Sequence, residues 1–267
     1  MMNRLRAHQP GFTLIEAIVA MTITGILAGV VTVFMVTPIR AYLDAVRRAE
    51  MTDAADTALR RIGFELRAAV PNTVRIDGTA SFLEFVPAQD GGRYRVELTA
   101  GGGGDILNAT SGADTSFNVL GPAVNGDNGD FVVIYNTGQV GLDVYAGNNR
   151  RVLSAAAGAT VTFTATGTAF PPYLSPFQRF QIVPASGPVT FACNGGRLLR
   201  HTGYGFNAAQ AVASLGAPTV VANNIAACNF TYNVVSAHNG LLTLALTLTR
   251  ENESVTLQHE IHIDNVP

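Results

Sequence analysis

From Phe12 to Val36 the chain is almost unbroken in apolar character, FTLIEAIVAMTITGILAGVVTVFMV. Roughly 25 residues would make a helix of about 37 Å, enough to cross a bilayer. One charged residue, Glu16, lies near its start, with no basic residue beside it. The run is longer than the core of a cleaved signal peptide, and no small-x-small site closes it. It therefore predicts a retained hydrophobic helix over 12–36, with any cleavage falling before it. Beyond it the pattern turns amphipathic. Ile39, Tyr42, Leu43 and Val46, then Ala55, Ala58, Leu59, Ile62 and Leu66, recur at helical spacing opposite an Arg/Asp/Glu face. Pro38 predicts a kink, and Pro71 predicts an end near Val70. Residues 12–70 would then form about 88 Å of nearly continuous helix, whose second half, 37–70, docks on a globular head.

From residue 72 the period shortens. SFLEFVPA (81–88) and RYRVELTA (93–100) read as strands joined by a turn containing Gly91-Gly92. DFVVIYNTG, TVTFTATG and FQRFQIVP follow as further strands. CNFTYNVV, GLLTLALTLTR and SVTLQHEIHI form a C-terminal group with turns at Asn239-Gly240 and Glu251-Asn252. No helical pattern interleaves with these runs, so the sheet should be largely antiparallel. Residues 100–105 and 121–130 read as loops, and AAQAVASLGA (208–217) as a short helix. No internal repeat is evident. The expectation is an α+β chain: a long N-terminal helix packed on a β-rich head over 71–267.

Composition narrows the class. Of 267 residues 48% are hydrophobic and only 13% charged, with 27 glycines. That profile suits a β-rich extracytoplasmic protein. The formal charge of -2 offers no basic surface for nucleic acid. All basic residues are arginine, which we read as base-composition bias. Cys193 and Cys228 have no C-x-x-C spacing. Two buried thiols are one reading; a disulfide is favoured because the N-terminal segment would send the rest of the chain out of the cytoplasm.

Gly11-Phe12-Thr13-Leu14-Ile15-Glu16 resembles the prepilin cleavage and methylation motif of type IV pilins and type II secretion pseudopilins. The resemblance implies a pilin-like fold and a leader at 1–11. It implies that prepilin peptidase cuts between Gly11 and Phe12, that the new amine of Phe12 is methylated, and that Glu16 is the family's glutamate. A lone carboxylate in hydrocarbon costs about 2.5–3.5 kcal/mol. The cut creates a cation at Phe12 that Glu16 of a neighbouring subunit can meet, so the charge would set the assembly register. The alternative is a glutamate snorkelling to the interface of an isolated anchor. Gly25-x-x-x-Gly29, with Ala17 upstream, adds a small-residue stripe that lets helices approach closely. The implied location is a single pass through the inner membrane with the head in the periplasm, then the pilus or cell surface. The implied partners are prepilin peptidase, other major and minor pilins, and the assembly platform in the inner membrane.

Softer motifs spread over the head. VVIYNTG (132–138), CNGGRLLRHTGY (193–204), ACNFTYNV (227–234) and the stretch 240–267 are similar to the large minor pilins of mannose-sensitive haemagglutinin (MSHA) pili, as is RRIGFELRAAVPNTVRI in the helix region. That implies a minor subunit of an adhesive pilus, acting as a structural or assembly-priming component. Three other readings stay open. One is a type II secretion pseudopilin. Another is a tip adhesin contacting a ligand through 101–130 or the loop between the cysteines. The third is a membrane-tethered periplasmic binding or enzymatic domain.

Candidate chemistry is sparse. His259-Glu260-Ile261-His262 is not H-E-x-x-H, and on a strand the two histidines face opposite ways, so they cannot share a metal. NGDNGD (125–130) has the composition of a Ca²⁺ loop but lacks the twelve-residue pattern, and a turn is the better reading. There is no G-x-S-x-G, no Walker A and no paired Cys/His set. The sequons at Asn229 and Asn252 are uninformative in a bacterial context. The expectation is a protein without catalytic residues, metal or cofactor.

Overall fold

The computed structural model describes residues 11–171, 173–236 and 238–267. Residues 1–10 of the expected leader, including Arg4 and Arg6, lie outside the described residues. The chain divides into two compact units, one ending at Glu50 and the other comprising Met51–Pro267.

In the first unit, helix α1 spans Leu14–Val31, a π-helical turn spans Thr32–Val36, and helix α2 (Thr37–Leu66) begins. No side chain of α1 or of the π turn is buried. The π turn is the form the expected kink takes. Pro38 has no N–H, and its ring crowds the carbonyl four residues earlier, at Phe34. The helix widens by one residue just before it and then continues. The hydroxyls of Thr22, Thr24 and Thr32 donate to the carbonyls of Val19, Ala20 and Ala28 at 2.9, 2.7 and 2.9 Å. The apolar helix thus satisfies its own hydroxyls.

In the second unit, Met51, Ala55, Ala58, Leu59, Ile62 and Leu66 form the buried face of α2. The helix ends at Leu66, short of the expected Val70. The backbone from there is taken up by sheet-like pairing: Val70 N–H donates to Val86 at 2.8 Å, Ala88 N–H donates to Ala68 at 2.7 Å, and Ala69 bridges Pro87.

The strands are β1 (Arg75–Ile76), β2 (Phe82–Phe85), β3 (Asp90–Arg93), β4 (Ser116–Asn118), β5 (Val124–Gly126), β6 (Phe131–Ile134), β7 (Arg150–Gly158) and β8 (Thr160–Phe163). They continue as β9 (Arg179–Val183), β10 (Val189–Asn194), β11 (Arg197–His201), β12 (Thr219–Asn223), β13 (Ile225–Ser236), β14 (Asn239–Arg250) and β15 (Glu253–Asp264). Three antiparallel sheets result: β1-β2-β10-β11-β12, then β13-β14-β15, then β3-β9-β6-β7-β8-β4 with β5 beside β7. The α+β class expected from the sequence is the class observed.

Leu242, Leu244, Leu246 and Leu248 of β14 lie in one core with the apolar face of α2, joined by Leu83, Phe85, Phe191 and Leu198 from the five-stranded sheet. A second core fills the seven-stranded sheet, where Phe117 packs edge-on to Phe180 and Phe163 to Phe170.

Four local expectations are corrected. Gly91-Gly92 is not a turn: both glycines lie in β3, which pairs with β9 instead of returning to β2. A Cβ at Gly91 would sit 2.8 Å from the Phe180 carbonyl oxygen, so only glycine admits this approach there, while one at Gly92 would meet the Phe180 ring at 3.2 Å and require that ring to shift. RYRVELTA does not return to β2: Arg93 lies in β3, Tyr94 bridges Val119, and the Arg95 N–H donates to Asn118 of β4 at 3.0 Å. Within 121–130, residues Val124–Gly126 form β5. Residues 208–217 are not helical; ten residues make a marginal helix, and Ser214 and Gly216 turn at positive φ. Finally, Asn239-Gly240 opens β14, so the reversal falls between Ser236 and Asn239.

Candidate functional site

The sequence concentrates its unusual chemistry at the start of α1. Gly11 and Phe12 precede the helix in non-helical backbone, and Phe12 is 72% exposed. Thr13 is extended (φ -83, ψ 150), and its Oγ1 accepts from the Glu16 N–H at 3.3 Å. Its carbonyl accepts the first helical bond, from Ala17, at 3.1 Å. This is an N-cap, and Thr13-x-x-Glu16 has the residue pattern of a capping box. The sequence reading missed that pattern, although its two residues stood inside the quoted motif. The cap fixes where the helix begins, so the Gly11–Phe12 bond lies outside it and is exposed.

Glu16 occupies the first turn of α1, where the unpaired N–H groups favour a negative charge. Among the described residues it has no ion-pair partner. Its surroundings are exposed apolar side chains: Leu14 is 80%, Ile15 69% and Met21 74% exposed. A Cβ added at Gly25 or Gly29 would meet nothing within 4 Å, so among the described residues nothing packs against the small-residue stripe. The helix is long and apolar enough to cross a membrane.

The head supplies rigidity. Cys193 of β10 and Cys228 of β13 form a disulfide with Cα atoms 6.3 Å apart, linking the five-stranded to the three-stranded sheet. Main-chain bonds run alongside, from Cys193 N–H to Ser81 at 3.0 Å and from Phe230 N–H to Ala80 at 2.9 Å. Asp77 closes this 77–82 turn. Burial works to raise its carboxyl pKa, but hydrogen bonds from Thr79, Phe82 and Ser81 together hold it below the ordinary value.

A buried polar cluster was also missed. The Arg75 Nε donates to Glu84 Oε2 at 2.7 Å, with the glutamate side chain fully buried. Tyr204 Oη donates to Glu84 Oε1 at 2.9 Å and lies 2.6 Å from Thr190 Oγ1. The Arg75 guanidinium also donates to the carbonyls of Asn207 and Ala208 and stacks 3.5 Å over the Tyr145 ring. Burial first, and the Glu84 charge second, push both the Tyr145 and Tyr204 hydroxyls up. The available signal was a glutamate inside the apolar run FLEFV; a strand buried on both faces must pair such a charge.

The remaining candidates resolve simply. His259 faces α2, with Nε2 3.4 Å from Asp56 Oδ1, while His262 is exposed on the other side of β15. In 125–130, Asp130 is buried and its carboxylate accepts from Gln89, from the Asp127 N–H and from the Ala185 N–H. That holds the loop against β9 and its continuation. Among the described residues no group of three or more His, Cys, Asp or Glu converges as a metal site.

Residues 6–32 match the family model of the prokaryotic N-terminal methylation motif. The match supports a subunit of type IV pilin or pseudopilin type, processed by prepilin peptidase. No curated protein and no solved structure matches the chain.

Proposed function

We propose that this chain is a minor pilin of an MSHA-like adhesive type IV pilus, of the MshO kind, acting as a structural or assembly-priming subunit and not as an enzyme. One observation carries the reading: among the described residues a single carboxylate, Glu16, stands without an ion-pair partner one turn inside an exposed apolar helix, downstream of a non-helical Gly11–Phe12 bond. Cleavage there gives Phe12 an ammonium group, the counter-charge that the chain otherwise lacks near Glu16. A helix from a neighbouring subunit then supplies one half of the ion pair and receives the other, which fixes its axial position. Such pairing is strong in a low-dielectric surrounding. The small stripe at Gly25 and Gly29 lets the neighbour come close. Before assembly the helix holds the protein in the inner membrane with the head in the periplasm. After assembly it lines the filament core, and the head reaches the surface. A type II secretion pseudopilin would use the same N-terminus, and the identity of the co-assembling subunits separates the two.

Removing the leader takes two of the 17 arginines and no acidic residue, leaving 15 cations against 19 anions and a formal charge of -4. The test uses the full-length protein in membranes. Intact mass should give a chain beginning at methylated Phe12. Glu16→Leu should still insert and keep a folded head but lose co-purification with the pilins encoded beside it, and Glu16→Asp should lose part of it. Wild-type co-purification of Glu16→Leu would overturn the charge-register account. A mature chain that begins at Met1 would overturn the pilin reading itself.

A further inference from the structure

The C-terminal sheet ends in an open edge. β15 is the last strand of β13-β14-β15, and it runs for 12 residues, about 40 Å of strand. Its pairing with β14 is continuous from Arg250↔Glu253 to Asn239↔Asp264 without a register shift. The direction of its backbone groups follows from its two ends. Glu251 and Asn252, both at positive φ, form a two-residue turn, so Glu253 hydrogen-bonds to Arg250 across it. At the other end the Asn265 N–H reaches the His238 carbonyl at 2.8 Å. Odd-numbered residues therefore point their N–H and C=O groups into the sheet. Ser254, Thr256, Gln258, Glu260, His262 and Asp264 point theirs away from it. Among the described residues these outward main-chain groups have no hydrogen-bond partner.

Sheet proteins usually guard such an edge with proline, lysine, a bulge or a short strand. β15 has no proline, lysine or register shift and is not short; of the usual guards it carries only charged side chains, Glu253, Glu260 and Asp264. The opposite edge differs. β13 has two register shifts, and its Ile225 and Phe230 N–H groups are taken by Gly196 and Ala80 at 2.9 Å each. The apolar layer is unfinished on the same side. Leu242, Leu244, Leu246 and Leu248 of β14 are 0–1% exposed, whereas Val255, Leu257 and Ile261 of β15 are only partly buried against the same core. One more strand would pair the edge and cover that row together.

We propose that β15 is a docking edge that receives an extended segment of a co-assembling, non-identical subunit as a fourth strand. The edge follows from the head alone; the choice of a co-assembling subunit rests on the pilin-type reading. The solvent face of β15 carries Glu260 and Asp264 with no arginine or lysine, so the incoming strand should place basic residues on that face and apolar residues over the half-covered row. A second copy of β15 would offer only carboxylates, histidine and neutral polar groups there, which disfavours self-pairing. Strand addition of this kind draws its affinity from main-chain hydrogen bonds and its selectivity from alternate side chains.

The probe is the set of pilin-like proteins encoded beside this chain, co-expressed full length with it and purified in detergent. Amide exchange should slow at least tenfold at the six outward positions of β15 on complex formation, while odd positions, already paired, change little. Gln258→Pro removes one outward N–H and leaves the β14 ladder whole, so the head should stay folded and the protection should vanish. Leu257→Pro, one residue away, should unfold the hairpin and so verify the assigned direction. Exchange at β15 unchanged by co-expression overturns the proposal, as does a Gln258→Pro protein that is folded and still protected. Protection in the chain purified alone as a dimer overturns the non-identical partner. Loss of assembly by Glu16→Leu with β15 never protected would leave the pilin reading standing and remove the docking edge alone.

Discussion

Arg75 and Glu84 stand directly opposite each other in the β1–β2 pair and meet at 2.7 Å, with the carboxylate fully buried. This pair joins the first strand after α2 to the loop at Asn207–Ala208, and through Tyr204 to β10. Arg75→Ala would leave a buried carboxylate with one hydrogen-bond donor fewer and two carbonyls unpaired. The expected loss is about 3–5 kcal/mol of head stability. Replacing Arg75 and Glu84 together by methionine and leucine should recover most of it. Urea unfolding of the full-length protein in detergent, followed by circular dichroism, checks both; equal losses for the single and double variants would show that the charge pairing is not what matters.

The same cluster predicts alkaline sensitivity. Tyr145 and Tyr204 have folded-state pKa values above the free value of about 10. Folding thus favours the neutral phenol. The contribution is whole below pH of about 10 and is lost as pH climbs from there toward the folded-state values. Thermal midpoints should fall above that point, and the fall should be shallower in Tyr204→Phe and in Tyr145→Phe. A fall of unchanged steepness in both variants would assign the alkaline loss to other groups.

Reduction of Cys193–Cys228, or Cys228→Ser, should cost about 3–4 kcal/mol from the loop of 35 residues that it closes. Thiol titration of the protein denatured without reductant should find no free thiol in the wild type and one in the variant. Two thiols in the wild type would mean that the bond does not form in the cell.

Gly91→Ala should destabilise the head by about 1–3 kcal/mol, because the added methyl meets the Phe180 carbonyl at 2.8 Å. Gly78→Ala, where the added methyl meets nothing within 4 Å, is the control and should be close to neutral. Thermal unfolding of the two variants side by side gives the comparison.

That glycine also marks where reading the sequence fails. The α2 face and the β13–β14–β15 meander were legible because each writes a long period of 3.6 or 2 into the chain, and the exposed apolar helix because its apolar run is long and almost unbroken. The seven-stranded sheet was legible only in part: β6, β8 and β9 were read as strands, whereas β3, β4, β5 and β7 were not. Its longest strand, β7, reads RRVLSAAAG, with few β-forming residues, and is held as a strand by neighbours on both sides. Gly91-Gly92 has the composition of a turn and the role of a close approach, and only Phe180, far along the chain, decides between them. The β10–β11 hairpin was signalled by Asn194-Gly195-Gly196, whose glycines take the positive φ of its tight turn, yet the segment was read only for its family likeness. At the N-terminus the motif was plain, while the Thr13 cap that positions it lay unread in the same six residues.

The order in which the core closes follows from where β14 lies in the chain. The apolar face of α2 is among the first parts of the head to be synthesised, and the leucine row that covers it is among the last. Contacts so distant in sequence form slowly, because a long chain must be brought back on itself before they repay its ordering. The contact between that face and the leucine row therefore spans nearly the whole head and is expected to form later than its contacts with β2. Without β14 the α2 face would still have Leu83, Phe85, Phe191 and Leu198 of the five-stranded sheet in its core, so the leucine row is the part of that core whose closure depends on chain near the far end of the sequence.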